Sequence, residues 1–432
     1  MKESKKQLNG SSVLEAWLLE QRKHTHVGVE PIPFSASGEW CIQEGGLAHN
    51  TGRFFKISGL RFSGEFAKRA HGDQPIIEQP EIGILGVLLR RGSSGPELLL
   101  QAKAEPGNID TVHLAPTVQA TLSNYERVHG GKATPYLEAF LTETPFELDE
   151  LQSEQGRFFL MKRNRNMARF CDGDVEVKPG YLWTPLVDVV RLLHVDHAVN
   201  SDLRSVLACM DWMTLIDHPP KQNYGKCLWA SLSGIPGEAS DEEVDSWWDR
   251  TCNDVNVKRQ RGSLNLLTGW RWTDDRLEDV NHSCFWIRQM RIHAPEREVS
   301  VWDQPLVGCR SPSEEILLCK IHDGALYVLV ALRRGPGVAL GVEMGLPDPS
   351  DVCDCRSQEI LSVNTSEEGG RFFQMVSHYR LRLVNGEWLP HPHQRWMTLR
   401  QIKRQISKEN RVSNELRGAL SLLLPFLVEN SV

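Results

Sequence analysis

Apolar residues between positions 13 and 21 recur at helical spacing, behind Ser11 and Ser12, whose hydroxyls suit a helix N-terminus. Residues 52–62, 83–89, 97–103 and 111–114 alternate or run apolar over strand lengths and predict four strands. Residues 157–162 and 174–177 predict two more. Residues 186–193 and 202–210 return to helical spacing, with Asp202 at a helix N-terminus. Strands in the middle and helices at the ends predict a layered α/β (α+β) domain with a mixed sheet. No G-x-G-x-x-G follows a strand, so the pattern does not support a parallel dinucleotide-binding fold.

The same pattern occurs twice. A constant shift of 230 positions takes Trp17 to Trp247, Trp40 to Trp270, Phe55 to Phe285, Ile57 to Ile287 and Arg61 to Arg291. It also takes Asp73-Gln74-Pro75 to Asp303-Gln304-Pro305, Leu99 to Leu329 and Pro106-Gly107 to Pro336-Gly337. Farther on the shift is 214, matching Glu154, Gly156 and Arg157-Phe158-Phe159 to Glu368, Gly370 and Arg371-Phe372-Phe373. Trp183, Arg191 and Arg204 then match Trp396, Arg404 and Arg417 at a shift of 213. The second copy thus lacks sixteen residues that the first holds between about 118 and 150. The expected organisation is a first domain at 10–215, a linker at 216–239 and a second domain at 240–428. Pro219-Pro220 and Gly234-Ile235-Pro236-Gly237 are the breakers that mark the linker.

Composition narrows the class. The 432 residues are 40% hydrophobic and 24% charged, with a formal net charge of −7. These are globular values, and the negative balance argues against nucleic acid or an anionic membrane as partner. The most apolar run, 419–428, is broken by Pro425, and no apolar segment follows Met1, so a cytoplasmic location is expected. Ten cysteines form no C-x-x-C pair, and Cys353 and Cys355 have no second pair to complete a zinc set. His391 and His393 read as loop residues, so no metal site is expected.

The densest chemistry lies between Gln101 and Lys132. Glu105, Asp110, His113, Tyr125 and His129 are its candidate acid and base groups. Gln101, Lys103, Thr117, Gln119, Ser123, Asn124 and Arg127 are candidate binding groups. In the second copy Gln101, Glu105, Asp110 and Thr117 become Ala331, Gly335, Leu340 and Pro347, while Leu99, Pro106, Gly107 and Val112 persist as Leu329, Pro336, Gly337 and Val342. Framework survives in both copies and polar groups in one, which places the site in the first copy. The second copy then reads as a scaffold with a degenerate site. A second cluster, Lys162, Arg163, Asn164, Arg165 and Asn166, has the cations and amides to grip a diphosphate. Its counterparts of Asn164 and Arg165 are His378 and Tyr379.

These residues also carry a resemblance. QPEIGILG (79–86), QAKAEPGNID (101–110), VHLAPTVQAT (112–121), SNY (123–125), RVHGG (127–131), SEQG (153–156) and KRNRN (162–166) resemble the NDP-hexose 2,3-dehydratases of deoxysugar biosynthesis. The resemblance covers nearly the whole chain. It implies a Nudix-like fold in each of two tandem halves, a homodimer and a dTDP-4-keto-6-deoxyglucose substrate. It implies no redox cofactor, leaves a divalent metal open, and calls for an NADPH-dependent 3-ketoreductase acting on an unstable product. Two departures stand out. Residues 343–349 replace the family's second-half E-L-x-P-T-V-Q-like run, and the glutamate-rich box of Nudix hydrolases is absent from the sequence. Pyrophosphate hydrolysis is therefore not expected.

Dehydration of such a sugar needs one base at C3, one acid for the C2 hydroxyl and one donor for the enolate oxygen. His113, Glu105 and Asp110 are the candidate bases, Tyr125 and His129 the candidate acids or donors, and Lys103 an enolate partner. Two other readings use the same residues: a nucleotide-sugar binding protein without catalysis, and an epimerase that returns the C3 proton to the other face.

Overall fold

The computed structural model describes residues 7–428 apart from 67–68, 94, 122–132, 172, 217, 281–284 and 298. The chain is a mixed α+β structure. The first helix, Val13–His24, starts where Ser12 accepts the amide of Glu15 over 3.1 Å, and it buries Leu14 and Leu18.

The central sheet of the first half runs Leu148–Ser153, Arg163–Phe170, Gly83–Gly92, Gly95–Ala104, Tyr181–Pro185. Val112–Ala115 pairs with Gly95–Ala104, and Val118–Ala120 with Gly83–Gly92. Only Arg163–Phe170 and Gly83–Gly92 run parallel. In the second half Ser357–Ser366, Val376–Val384, Ser313–His322 and Ala325–Arg334 repeat that order, again with one parallel pair, Ser313–His322 beside Val376–Val384. Register agrees as well: Lys103 faces His113, and Arg333 faces Glu343.

Two further sheets tie the halves together by exchanging a strand. Lys258–Gly262, from the second half, pairs with Lys56–Phe66 of the first. Gly28–Pro31, from the first half, pairs with Phe285–His293 of the second. Both exchanged strands are short and largely exposed, as edge strands usually are. Arg259 fixes one of them by donating to the carbonyls of Pro336 (2.6 Å) and Val338.

The main core draws on both halves, including Leu85, Leu203, Leu317 and Leu420. At its centre the helices Ser201–Cys209 and Asn414–Ser421 pack on each other. Each contains a fully buried arginine that reaches a serine of the other: Arg204 donates to Ser421 Oγ (3.1 Å) and Arg417 to Ser205 Oγ (2.8 Å). Close backbone contact completes the union. The Gly107 amide donates to Gly369 O (2.8 Å) and the Gly337 amide to Gly156 O (2.7 Å). A Cβ on Gly107 would sit 1.6 Å from Phe372 O, so no other residue fits there.

Two predicted strands are absent. Residues 157–162 form a turn in which the amides of Phe158 and Phe159 both donate to Gln155 O, and both rings are buried, Phe158 against Phe285 and Phe372. Two adjacent buried rings mimic an apolar strand, but the extended segment starts at Arg163. Residues 174–177 find no ladder partner among the described residues; Tyr136 instead donates to Glu176 O over 2.8 Å. Among the described residues no helix is long and apolar enough to cross a membrane.

Candidate functional site

A cleft of about 1010 Å³ opens where the first-half sheet meets the second half. Strand ends supply Lys103, Glu105, Gln119 and Asn164; the turn before Arg163–Phe170 supplies Glu154 and Lys162; Asp202 enters from the first turn of Ser201–Cys209. From the second half come Arg297, Trp302, Glu368 and Arg371. The lining of the cleft is therefore drawn from both halves.

Its polar groups hold one another in place. Glu105 accepts from Gln119 Nε2 (3.0 Å) and from the Gly369 amide (3.3 Å), and stands 4.0 Å from Lys103 Nζ. Lys103 donates to Gln119 O over 3.2 Å. Asn164 donates to Glu154 (2.8 Å) and accepts the amide of Gly83 (3.0 Å), a close approach that a side chain at Gly83 would block. The second oxygen of Glu154 accepts from Asn414 over 2.8 Å. Lys162 donates to Glu81 O, and Arg371 donates to Gln79 (3.2 Å) with its guanidinium over the Phe55 ring.

Burial among like charges sets the protonation. Burial, then the Glu105 carboxylate, pushes Glu368 up to about 7. Glu154 is raised by burial, against the pull of Arg417. Asp202 is raised well above the usual carboxylate range by burial and by Glu154, Glu368 and Glu105. Burial lowers Lys162. The cleft thus offers both proton donors and proton acceptors near neutral pH.

Of the residues singled out in the sequence, Lys103, Glu105, Gln119, Lys162 and Asn164 line this cleft. Others do not. His113 is fully buried, with Nε2 2.6 Å from Ile109 O, and burial pushes it down to about 3, so it is a neutral interior histidine outside the cleft lining. Asp110 has a positive φ of 60° and pairs outside the cleft with Arg22 over 3.2 Å. Gln101 and Thr117 are structural ties, Gln101 donating to Pro116 O (2.8 Å) and Thr117 accepting the Leu88 amide (2.9 Å). The pleat turns Arg163 and Arg165 to the face opposite Asn164, where Arg165 Nε meets Asp149 at 2.9 Å, so the expected diphosphate grip loses both arginines. Asn166 is buried and accepts from Ser205 Oγ over 2.8 Å. Ser123, Asn124, Tyr125, Arg127 and His129 lie outside the described residues.

Sequence reading passed over Asp202, Glu154 and the second-half residues as site groups. A signal for two of them is present in the sequence: Glu154 and Glu368 are a matched pair at the shift of 214, a pattern that framework residues share. Among the described residues, no three His, Cys, Asp or Glu side chains converge in a way that could hold a metal ion.

Buried acids beside lysines, in a cleft large enough for a nucleotide-sized anion, are the groups that an enzyme working by proton transfer needs. The chain belongs to the NDP-hexose 2,3-dehydratase family, whose model matches residues 11–210, 241–347 and 351–423. It is similar to three proteins named dTDP-4-dehydro-6-deoxy-alpha-D-glucopyranose 2,3-dehydratase. The one from Streptomyces violaceoruber is 33% identical, covering 94% of this chain and 95% of the relative. That from Amycolatopsis orientalis is 31% identical (95% and 89%), and that from Saccharopolyspora spinosa 30% identical (94% and 90%).

Proposed function

We propose that the protein is a hydro-lyase that converts dTDP-4-keto-6-deoxyglucose to the 3,4-diketo-2,6-dideoxy sugar nucleotide. The observation that carries this reading is the shared cleft, where Glu105, Glu154, Asp202 and Glu368 meet Lys103 and Lys162 within an established dehydratase family.

The C4 ketone acidifies the C3 hydrogen because the resulting carbanion is an enolate. Glu368 suits the base: one oxygen is anchored by the Gly370 amide at 2.9 Å, and its affinity for a proton is near neutrality. Lys103 suits the enolate oxygen as a cation already oriented by Gln119. Collapse of the enolate expels the C2 oxygen as water, and the enol formed tautomerises to the diketone. Carbon 2 is reduced and carbon 3 oxidised within one molecule, so the step balances without a redox cofactor. Lys162 and Arg371 supply positive charge for the diphosphate, and Phe54, Phe55 and Trp302 an aromatic wall for the base.

Mass spectrometry tests this. Incubation with dTDP-4-keto-6-deoxyglucose, an NADPH-dependent 3-ketoreductase and NADPH should trap a product lacking one water. A product retaining the C2 hydroxyl would instead make the protein an epimerase, and unchanged sugar would make it a binding protein.

We further infer two domains, 10–215 and 240–428, descended from one Nudix-like unit; the common strand order and the common parallel pair support this. A homodimer follows from the family resemblance and is open to sedimentation analysis. A cytoplasmic location is inferred likewise and is open to cell fractionation.

A further inference from the structure

Seven carboxylates line the cleft, and six of them are already engaged: Glu39 accepts the Asp303 amide, Glu296 meets His26, and Asp303 pairs with Arg291. Glu105 takes two N–H donors, Glu154 takes the amides of Asn164 and Asn414, and Glu368 takes the amide of Gly370. Asp202 differs. It is 4% exposed, lines the cleft from the first turn of Ser201–Cys209, and its carboxylate makes no hydrogen bond or ion pair to any described residue. A buried carboxyl with both oxygens unengaged is costly to the fold unless a ligand uses it.

We propose that Asp202 is the acid that protonates the departing C2 hydroxyl. The inference rests on the dehydratase reading above. In the step assigned to it, the C3 proton has gone to the base and the electron pair to the C4 oxygen. The enolate re-forms C4=O, the C2=C3 bond forms, and the C2–O bond breaks. The leaving oxygen takes the Asp202 proton and departs as water, and the carboxylate regains a proton from solvent before the next turnover. The surroundings favour a proton on Asp202: burial and the charges of Glu154, Glu368 and Glu105 raise it well above the usual carboxylate range, against the pull of Lys103. A carboxyl kept neutral in this way donates, whereas an ionised one could only accept.

Asp202→Asn keeps the shape and removes the acid, so it separates this role from the others. Water release should fall by about 10²–10⁴-fold. In deuterium oxide the variant should still place deuterium at C3 of recovered substrate, because the base and the enolate partner are intact. With a 2-deoxy-2-fluoro analogue of the substrate, whose fluoride leaves without needing a proton, variant and wild type should agree within about threefold. Loss of C3 exchange together with water release, at unchanged substrate affinity, would overturn the proposal by placing Asp202 before enolate formation. So would water release near the wild-type rate, or fluoride release reduced as far as water release. If wild-type protein itself releases no water with the reductase present, the dehydratase reading fails first, and this is seen without any variant.

Discussion

The amide of Gly369 donates to the Glu105 carboxylate over 3.3 Å, joining a second-half loop to a first-half strand end inside the cleft. That bond places Glu368, one residue earlier, beside Glu105, which supports a working part for the second half in the proposed reaction. Glu368→Gln should lower turnover by about 10²-fold or more, the usual span for losing a general base, with KM changed far less. Steady-state kinetics on a variant with a wild-type circular dichroism spectrum would check this; turnover within threefold would return the second half to a supporting role.

The same residue predicts the pH profile. Glu368 acts as a base only when ionised, and it is pushed up to about 7. Turnover should therefore rise through pH 7 and level off above it, and the rising limb should vanish in Glu368→Gln. Rates measured from pH 5.5 to 8.5 are sufficient.

His113 and Glu343 occupy equal positions in the two sheets and should affect stability with opposite sign. His113 is pushed down from 6.5 to about 3, so the unfolded chain takes up a proton that the fold refuses. Its contribution is complete above pH 6.5 and is lost as pH falls toward 3, at up to about 1.4 kcal/mol per pH unit. Glu343 is raised from 4.5 to about 8, so its contribution is complete below 4.5 and is lost as pH rises toward 8. Urea melts of His113→Gln and Glu343→Gln across this range should each lack the corresponding slope relative to wild type. Parallel curves would contradict these assignments.

Arg417 should be among the costliest residues to remove. It is fully buried and donates to Ser205 Oγ (2.8 Å), Ser153 O (2.7 Å) and Val412 O. Arg417→Leu leaves these acceptors buried without a donor, at about 1–3 kcal/mol each. A loss of at least about 3 kcal/mol in a urea titration is expected, against little change for the exposed Lys23→Ala.

Local pattern is enough for the helix behind Ser12 and for the strands around Gly83–Gly92 and Gly95–Ala104. It failed at Phe158-Phe159, because adjacent apolar residues read alike in a buried turn and in a strand. At the site, alternation separates Asn164 from Arg163 and Arg165, yet the run was read as one cluster. His113 was misplaced for another reason: spacing reports that a histidine is near a loop, not whether its ring faces water, ligand or core. Arg371 is invisible as a site residue because its partner Gln79 lies more than 250 positions away along the chain, joined only by the contact between the halves.

The exchanged strands bear on how such a chain can exist at all. A repeat folded alone would leave Lys56–Phe66 without its outer neighbour and leave Gly28–Pro31 with no sheet to join. The smallest unit able to satisfy its own backbone is thus the pair, and peptide continuity between the repeats is a convenience of synthesis. A protease cut in the loop at 234–238 should give two fragments that migrate together on gel filtration and part only in denaturant. The two halves behave as subunits held together by their exchanged strands rather than by the peptide link between them.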